Sequence, residues 1–286
     1  MARIIVVGSL HHDIIVTAPR QPEPGETLMG ETWRTALGGK GANQAVAAKR
    51  WGAETHMVGA VGQDDMGASL LTALNAAGVG CEMVAQHDDV GSGMSIATID
   101  GTGDYTAVVV SGANKAIDPA TVASCGVQAG DVIILQNEVP EAVNLAAAEA
   151  ARRSGASVVW NVAPFREDRC GLQGLVDVLV VNAVEARQMC GIPVADLKGA
   201  EEAARALSST ARASVVTAGA DGLAAQDRDG VCFSIPAIVV ENPVAHGAGD
   251  VLVGTLAAGL AAGHSLHSAL TAANTAAAQH VGGANA

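Results

Sequence analysis

The arrangement of apolar positions changes partway along this chain of 286 residues. From residue 131 onward, short β-branched apolar runs alternate with longer Ala-rich amphipathic stretches, which predicts strands separated by helices. The strand runs are continuously apolar, which is typical of a parallel sheet with helices on both faces. The predicted strands are 132–135, 157–162, 178–181 and 214–217, then a hairpin (223–226 with 231–235) and a strand-like run at 238–240, and the predicted helices are 141–154, 184–191 and 201–211.

The first 110 residues follow a different pattern. Buried strands are predicted at 4–8 and 58–62, and the second of these leads to a helix that ends near residue 77. Segments that mix polar and apolar positions predict exposed strands, which would form a small flap outside the main core. These flap strands are expected at 14–17 and 27–36, and as a hairpin within 93–110.

A loop of very small residues precedes a long apolar stretch near the end of the chain. Gly247, Ala248 and Gly249 have almost no side chain, and residues 251–262 are predicted to form a buried helix. Unpaired N–H groups at such a helix start favour anion binding. Asp250 either caps this helix or acts as a general base beside the anion site, as phosphoryl transfer requires, and the motif alone leaves both interpretations open.

A second glycine-rich segment leads into a predicted helix at 45–51. Gly39 and Gly41 would let a ligand approach the backbone closely, and Lys40 and Asn43 offer hydrogen-bond donors at a helix start. The spacing is not that of a P-loop, so the segment does not by itself indicate nucleotide binding.

Polar residues follow four of the predicted strands, where the carboxyl ends of parallel strands usually meet a ligand. Each of them alone is more often a cap or turn residue, but together with Asp250 they predict a functional site at this edge. These residues are Asn137 with Glu138, Asn161, Asn182 with Glu185, and Thr217 with Gly219.

Composition and charge exclude several classes of function. The net charge is −13, from 16 Lys and Arg against 29 Asp and Glu, and this disfavours nucleic acid and anionic membranes as partners. Apolar runs stay below the roughly 18–20 residues that span a bilayer, and we expect no secretory leader before the first strand. Five scattered cysteines fit reduced thiols, so we expect a cytoplasmic protein.

Taken together, the two glycine-rich motifs resemble those of the ribokinase family of sugar and nucleoside kinases (PfkB-type). Residues 37–43, with Gly52 and Gly62 downstream, are similar to the first family signature, and residues 247–250 are similar to the second. The resemblance runs from about residue 6 to residue 282. It implies one domain over 1–286 with the fold of an α/β/α sandwich, a mostly parallel central sheet, and a β-sheet lid drawn from about 14–36 and 93–110.

The resemblance also implies a role for each matching residue. Asp250 would be the base, and the three preceding small residues would form the anion hole. Glu185 would help to order Mg²⁺, with ATP as the phosphoryl donor. The sugar contacts would be His11, Asp13, Gly39, Lys40, Asn43 and Glu138, and the nucleotide contacts Asn182, Thr217, Gly219 and Asn274.

Two departures from the family pattern concern substrate and cation. A histidine, His11, stands where ribokinases have a sugar-binding asparagine, so ribose does not follow directly. Val244 replaces the carboxylate that would help to hold a monovalent cation, so activity is expected to need Mg²⁺ but not K⁺. His246, just before the anion hole, is expected to offer a proton-dependent positive charge instead.

The function expected from these motifs is ATP-dependent phosphorylation of a primary hydroxyl of a pentose-like sugar. A nucleoside kinase of the same family is the first alternative, and a non-catalytic sugar-binding regulator is the second. The expected partners are a small sugar or nucleoside and ATP, with a homodimer through the lid as a compatible assembly.

Overall fold

A nine-stranded sheet runs through the centre of the structure, a computed structural model that describes residues 2–101, 105–167, 171–241 and 247–283. Neighbouring strands pair in parallel except at one edge, where the last two pair antiparallel. A separate four-stranded sheet stands beside it. The strands are Arg3–Val7 (β1), His11–Thr17 (β2), Thr32–Gly38 (β3), Glu54–Gly62 (β4), Gly80–His87 (β5), Met94–Ile99 (β6), Tyr105–Val110 (β7), Val132–Leu135 (β8), Ser157–Asn161 (β9), Val178–Asn182 (β10), Ala213–Thr217 (β11), Gly222–Gln226 (β12) and Cys232–Pro236 (β13).

Helices cover both faces of the central sheet, whose strand order is β13-β12-β11-β10-β9-β8-β1-β4-β5. The helices are Lys40–Arg50 (α1), Asp65–Ala76 (α2), Pro119–Ala123 (α3), Glu141–Ser154 (α4), Ala183–Cys190 (α5), Leu197–Leu207 (α6), Ala248–Ala261 (α7) and Leu266–Val281 (α8). Among the described residues, no helix combines the length and apolarity needed to cross a membrane.

Alternate residues of each parallel strand contribute to two separate cores. On β1, Ile5 and Val7 belong to a core completed by α3, α4, α5 and α6, whereas Ile4 and Val6 belong to one completed by α1, α2, α7 and α8. All four side chains are fully buried. The three-layer α/β/α arrangement expected from the continuous apolar runs is therefore confirmed.

The four-stranded sheet, here called the lid sheet, has the order β3-β2-β6-β7. It corresponds to the predicted flap, but β2 begins at His11 rather than at residue 14, and β3 occupies 32–38 rather than 27–36. The polar start of β2 hid its strand character, although Asp13 pairs with Ala36 on one side and Ser95 on the other. Large apolar side chains remain exposed on this sheet, with Trp33 at 71%.

Other predicted bounds also need correction. Helices α1 and α7 begin at Lys40 and Ala248, earlier than the predicted 45 and 251, because glycines that read as loop lie in their first turns. Helix α6 begins and ends four residues earlier than predicted, since Asp196 caps it by accepting from the Gly199 N–H at 2.8 Å.

The run at 238–240 forms no strand in the described part of the chain, and its Val239 is 94% exposed. Strand β5 and helix α3 were not predicted. The sequence of β5, at the sheet edge, mixes polar and apolar residues, and α3 is only five residues long.

Close packing of α1 against α7 places both helix N-termini at the carboxyl edge of the central sheet. Gly254 of α7 makes this possible: a Cβ at that position would lie 2.7 Å from the Ala47 Cβ and 2.9 Å from the Ala48 backbone N. Such distances are shorter than real Cβ atoms tolerate. The two helix backbones can therefore approach this closely only because residue 254 lacks a side chain.

We expect Gly254→Ala to force α1 and α7 apart and to lower the free energy of unfolding by about 1–3 kcal/mol, the usual cost of overpacking a core. Urea denaturation measures this. The matched control is Gly249→Ala in the same helix, where no described atom lies within 4 Å of the added Cβ. The control should match the native chain or gain up to about 1 kcal/mol. Equal stability of the two variants would contradict the close-packing argument.

Candidate functional site

Two helix N-termini face the carboxyl edge of the central sheet, one belonging to α1 and one to α7. The residues before them, Gly39 and Gly247, have left-handed backbone angles, with φ of 88° and 79°. Because glycine cannot cap a helix with a side chain, the first-turn N–H groups of α7 keep the arrangement that binds anions. Ala248 and Gly249 form this first turn, as the sequence motif suggested.

Asp250 is buried, with 8% of its surface exposed, and its carboxylate contacts α1. Its Oδ1 accepts a hydrogen bond from Gln44 Nε2 at 2.9 Å, and its Oδ2 accepts one from Asn43 Nδ2 at 3.3 Å. The N-cap of α7 is Gly247, so the interpretation of Asp250 as the helix cap is wrong. Burial raises the pKa of this carboxyl above its usual range, while the positive charge of Lys40 opposes the rise.

A cleft of about 780 Å³ opens beside this carboxylate, between the lid sheet and helices α1, α7 and α8. Asp13, Asn43 and Gly247 line it. Asp13 Oδ1 accepts from Ser95 Oγ at 2.5 Å, which holds the carboxylate on the lid sheet next to Gly38. The structure therefore brings one predicted sugar contact from the lid and one from α1 to the same cleft.

Glu138 follows β8 and lies at the N-terminus of α1. Its Oε2 accepts from the Lys40 N–H at 2.9 Å and from the Ser9 hydroxyl. A carboxylate in this position stabilises the helix dipole, so Glu138 has a local structural partner in addition to its predicted sugar contact. Ser9 was not predicted, and the signal that could have found it is the Gly-Ser turn that follows β1.

His11 is buried, with 4% of its surface exposed, and its ring packs against Gly93. His11 is not one of the described residues that line the cleft. Its predicted contact with the sugar stays a prediction.

His246, for which a charge near the anion hole was predicted, lies outside the described residues together with Val244 and Cys170. Among the described residues, His280 of α8 lies beside the anion site, since a Cβ on Gly247 would lie 3.1 Å from its Nε2.

Asn182 and Glu185 form a reciprocal cap at the start of α5. Asn182 Oδ1 accepts from the Glu185 N–H, and Glu185 Oε2 accepts from the Asn182 N–H, both at 2.9 Å. Burial raises the pKa of Glu185, and the charges of Lys40 and Asp250 also act on this carboxyl. The predicted metal residue and the predicted base are therefore electrostatically coupled at one edge of the sheet.

The predicted nucleotide contacts lie further along this edge. Thr217 ends β11, and Gly219 begins a short 3-10 turn with a φ of 59°. Asn274 of α8 donates from Nδ2 to the Pro236 carbonyl at 3.0 Å, which ties α8 to the end of β13. These positions are compatible with a nucleotide loop, and the contacts themselves stay predictions.

The described residues contain no cluster of three or more His, Cys, Asp or Glu side chains that could hold a metal ion. A protein with few carboxylate ligands can still bind Mg²⁺, because this ion keeps several waters and takes substrate phosphates as ligands. Glu185 fits that pattern as one protein carboxylate beside an anion site.

Comparison with known proteins gives consistent matches. The sequence model of the pfkB family of carbohydrate kinases matches residues 1–286. Ribokinase of Bacillus subtilis is 33% identical over 281 residues, which cover 97% of this chain and 92% of that protein.

Solved structures were compared as well. Arabidopsis thaliana ribokinase, solved with ribose and ATP, has a TM-score of 0.87 at 27% identity, and the match covers 98% of this chain and 93% of that chain. A nucleoside kinase of Burkholderia thailandensis, solved with inosine, has a TM-score of 0.77 at 21% identity and covers 98% and 90%. The last likeness concerns the fold alone.

The raised pKa of Asp250 predicts how stability should depend on pH. A carboxyl with a raised folded-state pKa contributes stability that is fully present below its unfolded pKa and is lost as pH rises through the folded value. Asp250→Asn removes this loss. We expect the difference in Tm, variant minus native, to become more positive between about pH 4 and pH 7.5.

Asp131 provides the contrasting case in the same experiment. Burial acts to raise its pKa, but hydrogen bonds from the Arg3 side chain and from the Arg3 and Gln128 backbone outweigh this and hold the pKa below its usual range. Its stabilising contribution is therefore lost as pH falls. Asp131→Asn should lose Tm at about pH 7.5 and approach the native Tm in acid. The same pH trend in both variants would contradict the raised pKa of Asp250 and the lowered pKa of Asp131.

Proposed function

The chain belongs to the pfkB family of carbohydrate kinases and is a sugar kinase, and we propose that it transfers the γ-phosphoryl group of ATP to a primary hydroxyl of ribose or a closely related pentose. The observation that carries this proposal is the buried carboxylate of Asp250, which lies on the first turn of α7 beside a cleft lined by Asp13 and Asn43. Ribose and ATP as the pair of substrates are supported by the ribokinase relatives.

The chemistry needs positioning, charge stabilisation and one proton acceptor. Asp13 and Asn43 would hold the sugar hydroxyls in the cleft. Asp250 would take the proton of the attacking hydroxyl while the new oxygen–phosphorus bond forms and the bond to the β-phosphate oxygen breaks, leaving ADP. The N–H groups that open α7, at Gly247, Ala248 and Gly249, would stabilise charge on the transferred phosphoryl group.

The remaining predicted contacts follow the same division. The sugar would also be contacted by Gly39, Lys40, Glu138 and His11. Asn182, Thr217, Gly219 and Asn274 would contact the nucleotide. Glu185 would help to hold Mg²⁺, which neutralises phosphate charge when bound. We propose that K⁺ is not required, because the side chain of Val244 offers no oxygen ligand where the family has a carboxylate.

A cytoplasmic location fits an ATP-dependent kinase, and we propose it here. The absence of disulfide bonds among the described cysteines supports this location. The free thiols are those of Cys81, Cys125, Cys190 and Cys232.

The two alternative functions have less support. A nucleoside kinase is not favoured, because the nucleoside kinase neighbour shares the fold at only 21% identity, whereas the ribokinase of Bacillus subtilis is 33% identical over 97% of the chain. A non-catalytic regulator would not need a buried ionisable carboxyl beside an open helix N-terminus. A screen of pentoses and ribonucleosides that measures ADP release tests the choice, and turnover of nucleosides above that of free ribose would overturn it.

Replacing Asp250 by Asn should lower kcat by about 10²–10⁴-fold, the usual contribution of general-base catalysis. The variant should keep its fold, because Gly247 rather than Asp250 begins α7. ADP release with ribose measures the effect. The same assay checks the ion requirements: activity should be lost without Mg²⁺ and should change little when a bulky organic cation replaces K⁺. Asp89→Asn, an exposed carboxylate outside the site, is the charge-matched control. Normal turnover by a folded Asp250→Asn variant would exclude the base role.

The lid sheet should be less protected from hydrogen exchange than the central sheet, since it buries little apolar area of its own. We propose that it is ordered by sugar and that a homodimer forms through its exposed apolar side chains, including Trp33 and Val108. Exchange in β3 and β7 should slow on adding ribose at low protein concentration. It should also slow without ribose as the protein concentration rises. Exchange rates in β3 and β7 that change neither with ribose nor with protein concentration would contradict a lid that sugar orders and that self-associates.

A further inference from the structure

Gln44 is a fully buried amide on α1 that connects the central sheet to Asp250. Its Nε2 donates two hydrogen bonds, one to Asp250 Oδ1 at 2.9 Å and one to Asn161 Oδ1 at 3.0 Å. Its own Oε1 is buried with no hydrogen-bond partner among the described residues. Leaving such an oxygen unpaired is destabilising, so a residue chosen for stability alone would be apolar here.

The orientation of this amide is set by its neighbours. Both partners of the nitrogen are oxygen acceptors, so only the NH₂ end of Gln44 can face them. Asn161 is oriented in turn, because its Nδ2 donates to the Val180 carbonyl at 3.3 Å and a main-chain carbonyl can only accept. A fixed sequence of bonds therefore runs from the backbone of β10 through Asn161 and Gln44 to Asp250.

The two oxygens of Asp250 have different surroundings as a result. Oδ1 takes the shorter bond, from an amide that has no freedom to turn away. Oδ2 takes the longer bond at 3.3 Å from Asn43, whose side chain lines the cleft. We propose that Gln44 is a positioning residue that holds Asp250 through Oδ1, so that Oδ2 is the oxygen that receives the proton of the acceptor hydroxyl. This inference depends on the proposed role of Asp250 as the base.

The test is Gln44→Met, which keeps the length of the side chain and removes both donors. We expect kcat with ribose and ATP to fall about 10- to 100-fold at neutral pH, the usual effect of a small misplacement of a reacting group. The KM for ribose should change little, because Asp13 and Asn43 remain in the cleft.

The pH dependence separates positioning from a general loss of structure. The hydrogen bond from Gln44 lowers the pKa of Asp250, so removing it should raise that pKa and move the acid limb of kcat/KM to higher pH. The other charged groups that act on this carboxyl, Lys40, Glu138 and Glu185, are unchanged in the variant. The loss of activity should therefore be greater at low pH than at high pH.

Two further variants control the result. Asn161→Ala frees the amide of Gln44 without removing it, and it should shift the acid limb in the same direction by a smaller amount. It also serves as the test if Gln44→Met fails to fold. Ser214→Ala removes a buried 2.6 Å hydrogen bond to the Ala204 carbonyl, away from the site, and should lower Tm while leaving the pH profile unchanged.

A Gln44→Met enzyme with native kcat, or with the same fractional loss at every pH, would overturn the inference. The base role itself fails separately, through an active Asp250→Asn enzyme. An inactive Asp250→Asn enzyme beside an unaffected Gln44→Met enzyme would exclude the positioning role alone.

Discussion

The close approach of α1 to the elements around it is the constraint on which the site depends. Gly254 lets α7 lie against the backbone of α1, and Gly41 does the same for the turn after β1, where a Cβ would lie 2.6 Å from the Ser9 N. Because of this approach, Asn43 and Gln44 reach the carboxylate of Asp250. Both helix N-termini then face the carboxyl edge of the sheet, where the parallel strands end. Side chains any larger than hydrogen would separate these groups.

Electrostatics at this edge run against the character of the whole chain. The net charge of −13 would repel a polyphosphate from most of the surface. At the site, the positive ends of two helices and the charge of Lys40 offset the carboxylates of Glu138, Glu185 and Asp250. Attraction of an anion therefore depends on backbone groups held in place by the fold, and overall composition gives little indication of it.

The sequence predicted the central sheet well because continuously apolar strands and Ala-rich helices carry their burial in their own pattern, as β8 and α4 show with bounds that match residue for residue. It failed where tertiary contacts override local preference. Glycines in the first turn of α1 read as loop, and the polar start of β2 concealed a strand. The site motifs located Asp250, but Gln44 could not be assigned a role, since its partners lie more than a hundred positions away along the chain.

Buried polar atoms show why such a site costs stability. Gln44 Oε1, His11 Nε2 and both amide atoms of Gln136 are buried without hydrogen-bond partners among the described residues. Gln44 lies on α1, Gln136 directly follows β8, and the Gln136 amide packs against Gly8, which directly follows β1. Apolar residues there would give a better-packed core. A fold selected only for stability would fill this region with aliphatic side chains. The polar character of Gln44 is best explained by its hydrogen bond to Asp250, which orients and tunes an ionisable group beside the cleft.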